Sequence, residues 1–378
     1  MKITDIEVIE LRVPGWDGST FDGSYDNCLV QIHTDEDLTG ISEVDSVPSV
    51  IRAIIEAPRS HTHAMGLKHA LLGQDPANVE ALWERMYDLT SYYGRRGVVI
   101  HAISALDIAL WDLRGKFLGK PLSELLGTKR RTRILAYGTV YPLGDTPDDV
   151  RRNIDRGLRL GLKAIKIVAD PFWRNDLKHT ETLIRTARDH VGTGIRLMVD
   201  AATAWSRAEE GLPLMPIFRQ YDFQWVEAPL PIDDLAGHAR FQGYGVPIGG
   251  GDLGLTTRYE YEQLFDIGRV DIAQPDVTMA GGLTELLRIA ALAHARGKRV
   301  VTHGYKSNIT IAANLAFLAQ HWDEEPLEYS TSESPLRWHL THEEFPIGTD
   351  GKVEVPSRPG LGVSINGKTV EKFRLPPT

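Results

Sequence analysis

Three short apolar or glycine-rich segments, each carrying one carboxylate, constrain the fold more than any other feature. They lie at 199–201, 225–227 and 250–252, and their acids, Asp200, Glu227 and Asp252, are 27 and 25 residues apart. A βαβ unit takes about 30 residues, so the interval indicates one carboxylate per strand–helix unit. Strand ends in a closed parallel barrel face one mouth, where three carboxylates repel one another unless a cation lies between them. The spacing predicts a parallel barrel with a cation site.

The same period continues on both sides of these acids. Asp276, His303 and Glu328 follow at intervals of 24, 27 and 25 residues, and Lys166 lies 34 residues before Asp200. Helical patterns fill the gaps between strand-like segments, for example at 146–160, 260–265 and 282–295. Eight strands joined by helices favour a barrel over a doubly wound sheet. The predicted strands are 134–140, 163–168, 195–200, 223–227, 246–249, 270–274, 299–303 and 326–329.

The residues before the barrel have a different pattern. Alternating apolar residues predict strands at 2–13, 27–33 and 39–45, and 47–118 is mostly helical, with the clearest apolar stripe at 97–116. Between the first two strands, the glycine- and aspartate-rich segment 16–25 is either a loop that closes over a site or a long hairpin connection. We predict an α+β capping domain at 1–125, a barrel at 126–330, and a C-terminal segment at 331–378 that returns to the capping domain.

Composition excludes some functional classes. The formal net charge of −9 over 378 residues argues against a nucleic-acid-binding protein, which usually has a basic face. Cys28 is the single cysteine, so no intramolecular disulfide can form, and a cytoplasmic location is the simplest expectation. The chain begins without a signal-peptide pattern, and no run approaches the ~20 apolar residues that span a membrane.

At this point a family resemblance is clear. The motifs are VDAATAW (199–205), WVEAPL (225–230), PIGGGD (247–252), QPDVTMAGG (274–282), VTHG (301–304), PLEY (326–329) and HAISALDIALWDLRGKFLGKP (101–121). Together they make the chain similar, over nearly its whole length, to the enolase superfamily and its mandelate racemase-like subgroup. The resemblance implies an α/β fold: a modified (β/α)7β TIM-like barrel with an α+β capping domain. It also implies removal of the proton α to a carboxylate, with one divalent metal ion per subunit, usually magnesium, stabilising the enediolate.

The resemblance also implies roles for individual residues. Asp200, Glu227 and Asp252 match the metal-ligand positions, although relatives commonly have glutamate at 252. Asp276 and His303 match a catalytic dyad in which the aspartate orients the imidazole. Further matches are Glu328, which would hydrogen-bond a substrate carboxylate, and Lys166, the first lysine of a Lys-x-Lys pair on the second barrel strand.

Two departures from the family pattern decide the expected chemistry. The second lysine of the pair is Val168 here, and Ala202 stands where relatives often have asparagine or histidine. A racemase needs a proton donor on each face of the substrate, whereas dehydration needs only His303, first as base and then as acid on the same face. We therefore predict a magnesium-dependent dehydratase of a sugar acid, with Lys166 as a fixed positive charge. The alternatives are a racemase or epimerase, and a homologue that binds metal and sugar acid without turnover.

Contacts from the capping domain are predicted on less specific grounds. Tyr25 and Arg95 are candidates for substrate binding, although Arg95 and its neighbour Arg96 could equally serve an interdomain or subunit contact. The expected partners are a small-molecule carboxylate and further copies of the chain, in a dimer or an octamer.

Overall fold

A three-stranded antiparallel sheet begins the chain, and five helices follow it. In this computed structural model the described residues are 1–18, 22–141, 144–169, 176–252, 254–320 and 324–376. The sheet has the order β1-β2-β3, as the alternating pattern predicts, with β1 at Ile3–Arg12, β2 at Asp26–Thr34 and β3 at Thr39–Val44. The helices are α1 (Pro48–Glu56), α2 (Leu67–Leu71), α3 (Val79–Leu89), α4 (Val98–Leu118) and α5 (Leu122–Leu125).

Helix α4 is the central element of this first unit. Its residues are buried on nearly every side, which is typical of a helix packed between other elements. One side packs on β3, where a Cβ on Gly40 would lie only 2.2 Å from the carbonyl oxygen of Ala109. The helix ends at Gly119, whose left-handed backbone (φ 64°) is a common helix C-cap. Among the described residues, neither α4 nor any other helix is long and apolar enough to cross a membrane.

Eight parallel strands form the second unit, in the order β10-β9-β8-β7-β6-β5-β4-β11. All eight match the predicted strands to within a few residues. They are β4 (Arg133–Val140), β5 (Ala164–Val168), β6 (Arg196–Asp200), β7 (Phe223–Glu227), β8 (Ile248–Gly250), β9 (Ile272–Ala273), β10 (Arg299–Val300) and β11 (Leu327–Ser330). The helices between them are α6 (Pro147–Arg159), α7 (Leu177–Val191), α8 (Ala208–Gly211), α9 (Met215–Gln220), α10 (Leu235–Ala239), α11 (Arg258–Asp266), α12 (Gly282–His294) and α13 (Asn308–Leu318).

Side chains join the two ends of this curled sheet. Within the described ranges, β10 and β11 form no backbone ladder. The backbone N–H of Gly304 instead donates to the Glu328 carboxylate at 3.1 Å, and Arg299 pairs with Glu325 at 2.6 Å. The enclosed interior is packed by a separate cluster of buried residues, Tyr137, Ala164, Met198, Trp225, Ile272 and Val301. The predicted barrel architecture is confirmed.

The C-terminal residues contact both units. They form α14 (Pro335–His339), β12 (Lys352–Glu354) and α15 (Gly367–Phe373). Strand β12 pairs antiparallel with β4, and the N–H of Leu375 donates to the carbonyl of Glu10 in β1 at 2.9 Å. This packing places the last residues beside the first strand, while the exact domain boundaries stay a prediction.

Candidate active site

Strand register places the predicted residues at one level of the barrel. Val168 is paired with Asp200 across β5 and β6, and Asp200 is paired with Glu227 across β6 and β7. Beyond the ends of β9 and β10, an isolated bridge pairs Asp276 with His303. Because all these strands are parallel, their carboxyl ends deliver the side chains to the same mouth.

Lys166 lies at the centre of the carboxylates. Its fully buried Nζ is 3.0 Å from Glu328 Oε1 and 3.7 Å from Asp200 Oδ2, and it also donates to Glu227 Oε1. Burial lowers the pKa of Lys166, but the negative charges of Glu227 and Glu328 outweigh burial and hold that pKa well above its ordinary value. In this arrangement the neighbouring carboxylates favour the charged form of Lys166, and its role as a fixed positive charge stays a prediction.

Glu227 and Glu328 are held by further donors. Glu227 Oε2 accepts from the indole N–H of Trp225 at 3.1 Å and from Gln274. Glu328 Oε1 accepts from the hydroxyl of Thr139, and its other oxygen accepts from the backbone of Gly304. Both oxygens of each carboxylate are thus occupied by groups of the protein, which satisfies the requirement that buried charges be paired.

The His–Asp dyad has the predicted geometry. His303 Nδ1 is 2.8 Å from Asp276 Oδ2, while Nε2 is 3.8 Å from Glu328 Oε2. Asp276 Oδ1 accepts from the N–H of Thr278 at 2.6 Å and from its hydroxyl at 2.7 Å. Burial lowers the pKa of His303, but the charges of Glu328 and Asp276 raise it well above its ordinary value. The aspartate fixes the ring and favours the imidazolium form.

The other two acids, Asp200 and Asp252, are buried close to further negative charge. Burial and the charge of Glu227 raise the pKa of Asp200 to about 8 and the pKa of Asp252 to about 6. Asp200 Oδ1 accepts from the backbone N–H of Ala202 at 2.8 Å, whereas Asp252 Oδ1 is buried without a hydrogen-bond partner among the described residues. Such a pair of buried carboxylates is stabilised by a nearby cation.

The donor chemistry of these acids fits a hard divalent cation, since carboxylate oxygens are its preferred ligands and Asp252 Oδ1 is unpaired. The described side chains are nevertheless not positioned to coordinate a metal ion. In the described ranges, no group of three or more histidine, cysteine, aspartate or glutamate side chains could hold a metal ion as it stands. Lys166 supplies positive charge to Glu227 and Asp200 in this arrangement, so metal binding would require Glu227 to change partners.

A cavity of about 240 Å³ lies in front of these residues. Its size suits a small ligand. Val168 and Ala202 form part of its wall, as the departures from the family pattern predict. Its described lining consists of Gly23, Asp45, Tyr141, Val168, Asp200, Ala202, Asp252, Met279, His303 and Tyr305.

Several of these lining residues are absent from the sequence-based candidates. Gly23 lies in the segment 16–25, of which residues 19–21 are outside the described part of the chain. Asp45 follows β3. Met279 lies in the motif QPDVTMAGG (274–282), but no role was predicted for Met279 itself. A carboxylate just after an edge strand, as Asp45 is, could have been singled out; nothing local in the sequence marks Tyr141.

The two capping-domain candidates are not at this cavity. Tyr25 stacks on Trp16, with ring centroids 4.2 Å apart, and Arg95 is exposed. Neither residue lines the cavity. Arg96 instead contacts the barrel, 3.6 Å from Glu260 and 5.2 Å above the ring of Tyr259, as the interdomain reading predicts. The assignment of Tyr25 and Arg95 as substrate ligands stays a prediction, since neither is among the described lining residues.

Comparison with known proteins identifies related sequences along the whole chain. A family model described as "Mandelate racemase / muconate lactonizing enzyme, N-terminal domain" matches residues 22–127, and one described as "Enolase C-terminal domain-like" matches residues 149–369. Members of the enolase superfamily generally bind a divalent metal ion.

Individual relatives are similar over most of their length. A D-galactarolactone cycloisomerase of Agrobacterium fabrum is 31% identical over 92% of this chain and 91% of its own. An arabinonate dehydratase of Saccharolobus solfataricus is 31% identical over 82% of this chain and 81% of its own. The crystal structure of a 3,6-anhydro-D-galactonate cycloisomerase from Zobellia galactanivorans superposes with a TM-score of 0.87 at 30% identity, over 100% of both chains.

Proposed function

Because the chain belongs to the mandelate racemase / muconate lactonizing enzyme family of the enolase superfamily, we propose that it is a hydro-lyase acting on a sugar acid. Its substrate would be an aldonate or an aldarate, and its product a 2-keto-3-deoxy acid. One observation carries the proposal: a His303–Asp276 dyad faces a cavity whose described lining includes Val168 and Ala202, residues that cannot transfer a proton.

His303 does the acid–base work in this proposal. Its Nε2, which is not engaged by Asp276, takes the proton from the carbon next to the substrate carboxylate. The imidazolium then gives that proton to the hydroxyl leaving from the adjacent carbon on the same face, and water departs. The enol that remains loses its O–H proton and takes up a proton at C3 from solvent, which gives the 2-keto-3-deoxy acid. Asp276 keeps the ring oriented and stabilises its charged form through both steps.

The carboxylate end of the substrate would lie near Lys166 and Glu328. Proton removal makes that end more negative, and Lys166 would supply a preorganised positive charge close to it. A divalent metal, magnesium in this proposal, would be held by Asp200, Glu227 and Asp252 and would stabilise negative charge on the substrate carboxylate.

A cycloisomerase is the second candidate, because relatives with that name cover nearly the whole chain. Ring opening by loss of a ring oxygen from the carbon next to the α-carbon uses the same base and the same single face as dehydration. In the cycloisomerase reaction the leaving oxygen stays attached to the product, whereas in dehydration it departs as water.

The first test is to incubate the purified protein and magnesium with a library of aldonates, aldarates and their lactones and anhydro forms. Semicarbazide detects 2-keto acids, and NMR distinguishes loss of water from ring opening. We expect a 2-keto-3-deoxy acid from at least one open-chain sugar acid, and a fall of about 10²–10⁴-fold in rate for His303→Asn. Absence of any product from every compound would contradict the proposal, and turnover of cyclic compounds alone would favour the cycloisomerase.

A further inference from the structure

We infer that Asp45 makes this cavity select a sugar acid whose far end, away from the reacting carboxylate, is uncharged and carries hydroxyl groups. The site would thus prefer a monocarboxylic aldonate to a dicarboxylic aldarate. The inference rests on the proposed function for the identity of the reacting end, and it concerns a residue of the capping unit that has no part in the proton transfers.

Asp45 directly follows β3, in the capping unit. It lines the same space as Asp200, Asp252 and His303. Its side chain keeps 26% of its surface exposed, so at least part of the carboxylate is open to a ligand. Among the described lining residues, Asp45 is the charged group that the capping unit contributes, whereas Asp200, Asp252 and His303 belong to the barrel.

The cation that pairs with Asp45 faces away from the cavity. Lys306 Nζ is 3.0 Å from Asp45 Oδ1 and only 3% of the lysine side chain is exposed. The same ammonium also donates to the carbonyl of Asp26 at 2.8 Å and to the carbonyl of Gly23. Its donors are directed at the protein, and Lys306 is not part of the cavity wall. The pair therefore presents a hydrogen-bond acceptor, not a donor, to a ligand.

The position of Asp45 is fixed relative to the dyad. Its backbone N–H donates to the hydroxyl oxygen of Thr278 at 3.1 Å, and that hydroxyl donates to Asp276. A substrate that fills the cavity in front of His303 would extend to Asp45, since both residues line it. A hydroxyl there can donate to the carboxylate in a charge-assisted hydrogen bond.

The second carboxylate of an aldarate, placed beside Asp45, would find no favourable partner among the described lining residues. His303 is the only basic residue of that described lining, and it belongs to the reacting end. Like charges brought together at a desolvated site discriminate strongly against the wrong ligand.

The experiment compares acids of one configuration that differ only at the far end, such as galactonate with galactarate and gluconate with glucarate. For the wild-type protein with magnesium, we expect a higher kcat/KM for the aldonate of the preferred pair. Asp45→Asn removes the charge and leaves Lys306 uncompensated, so the ratio of aldarate to aldonate kcat/KM should rise about tenfold or more. Asp37→Asn, on the exposed turn between β2 and β3, makes the same charge change away from the cavity and should leave the ratio unchanged.

The inference is overturned if the wild-type protein prefers the aldarate, or if the ratio is the same in Asp45→Asn as in the wild type. If no compound is turned over, the proposed function fails. The rise in melting temperature caused by each aldonate and by its matching aldarate then still tests whether the cavity selects the aldonate. Stabilisation by an aldonate and not by its aldarate supports the selection. Equal stabilisation by both, or none by the aldonate, overturns it, and this wild-type comparison holds even where the Asp45 variant does not fold.

Discussion

At the scale of single residues, the proposed reaction separates a group that would move protons from groups that would only supply charge. His303 has one nitrogen on Asp276 and the other near Glu328, so its ring is both oriented and electrostatically stabilised as a cation. Lys166 is surrounded by carboxylates and keeps its proton. Val168 and Ala202 in the cavity wall cannot transfer a proton. These roles are therefore consistent with elimination of water from one face of the substrate.

Asp276→Asn tests the electrostatic part of this account. The charge of Asp276 helps to raise the pKa of His303, so its removal should lower that pKa. Because the base must be neutral to take a proton, the rising limb of the kcat/KM profile should move to lower pH, while the maximal rate falls through loss of ring orientation. Steady-state rates from about pH 5 to 9 measure both effects. A profile that keeps its position would contradict the assigned influence of Asp276.

Only some of the site residues could be placed from the sequence. The barrel acids, Lys166 and the dyad could be placed because each ends a strand in a repeating unit, and parallel strands converge by geometry. The place of Asp45 in the cavity could not be predicted, because it depends on how the capping unit packs on the barrel. Tyr25 and Arg95 were expected at the substrate, but the stacking of Tyr25 on Trp16 and the exposure of Arg95 are decided by packing that no local pattern reveals.

At the scale of elements, buried carboxylates of the first unit cap helices of the barrel. Glu43 on β3 accepts from the backbone N–H groups of Ser307 and Thr310 and from both of their hydroxyls, at 2.7–2.9 Å, at the start of α13. Asp107 on α4 does the same for Thr284 in the first turn of α12. Negative charge is favourable at a helix N-terminus, so these contacts fix the two units against each other.

Glu43→Gln should therefore destabilise the protein. The amide keeps one acceptor oxygen but places an NH₂ group against donors, with a cost of about 1.5–3 kcal/mol in the free energy of unfolding. Urea unfolding measures the change. Glu371→Gln, an exposed position on α15, is the matched control and should change stability by less than about 0.5 kcal/mol. Equal effects of the two substitutions would show that the α13 contact does not stabilise the structure.

Asp107→Asn makes a prediction about pH. Burial raises the pKa of Asp107 to about 7, so between about pH 4 and 7 the folded protein holds a proton that the unfolded chain has lost. The contribution of this residue to stability therefore falls as pH rises, by up to about 1.4 kcal/mol per pH unit. The variant should show a flatter decline than the wild type when unfolding is measured across this range. Parallel curves would contradict the raised pKa.

At the scale of the whole molecule, the cavity is assembled from both units of the chain. The barrel supplies the acids and the dyad, and the capping unit supplies Gly23 and Asp45. The βα period was enough to predict the eight strands, since each repeats one local pattern. The sequence predicted that the C-terminal residues return to the capping unit, but their pairing with β1 and β4 depends on long-range contacts that no local pattern reveals.

The central claim is that protons are moved on one face only, and reaction in deuterated water with magnesium tests it most directly. NMR of the product and of recovered substrate follows both elimination and the configuration at the α-carbon. We expect a 2-keto-3-deoxy acid and recovered substrate of unchanged configuration, with proton exchange and product formation both slowed by about 10²–10⁴-fold in His303→Asn. Accumulation of the deuterated α-epimer without loss of water would contradict it, because a second proton donor would then have to act opposite His303.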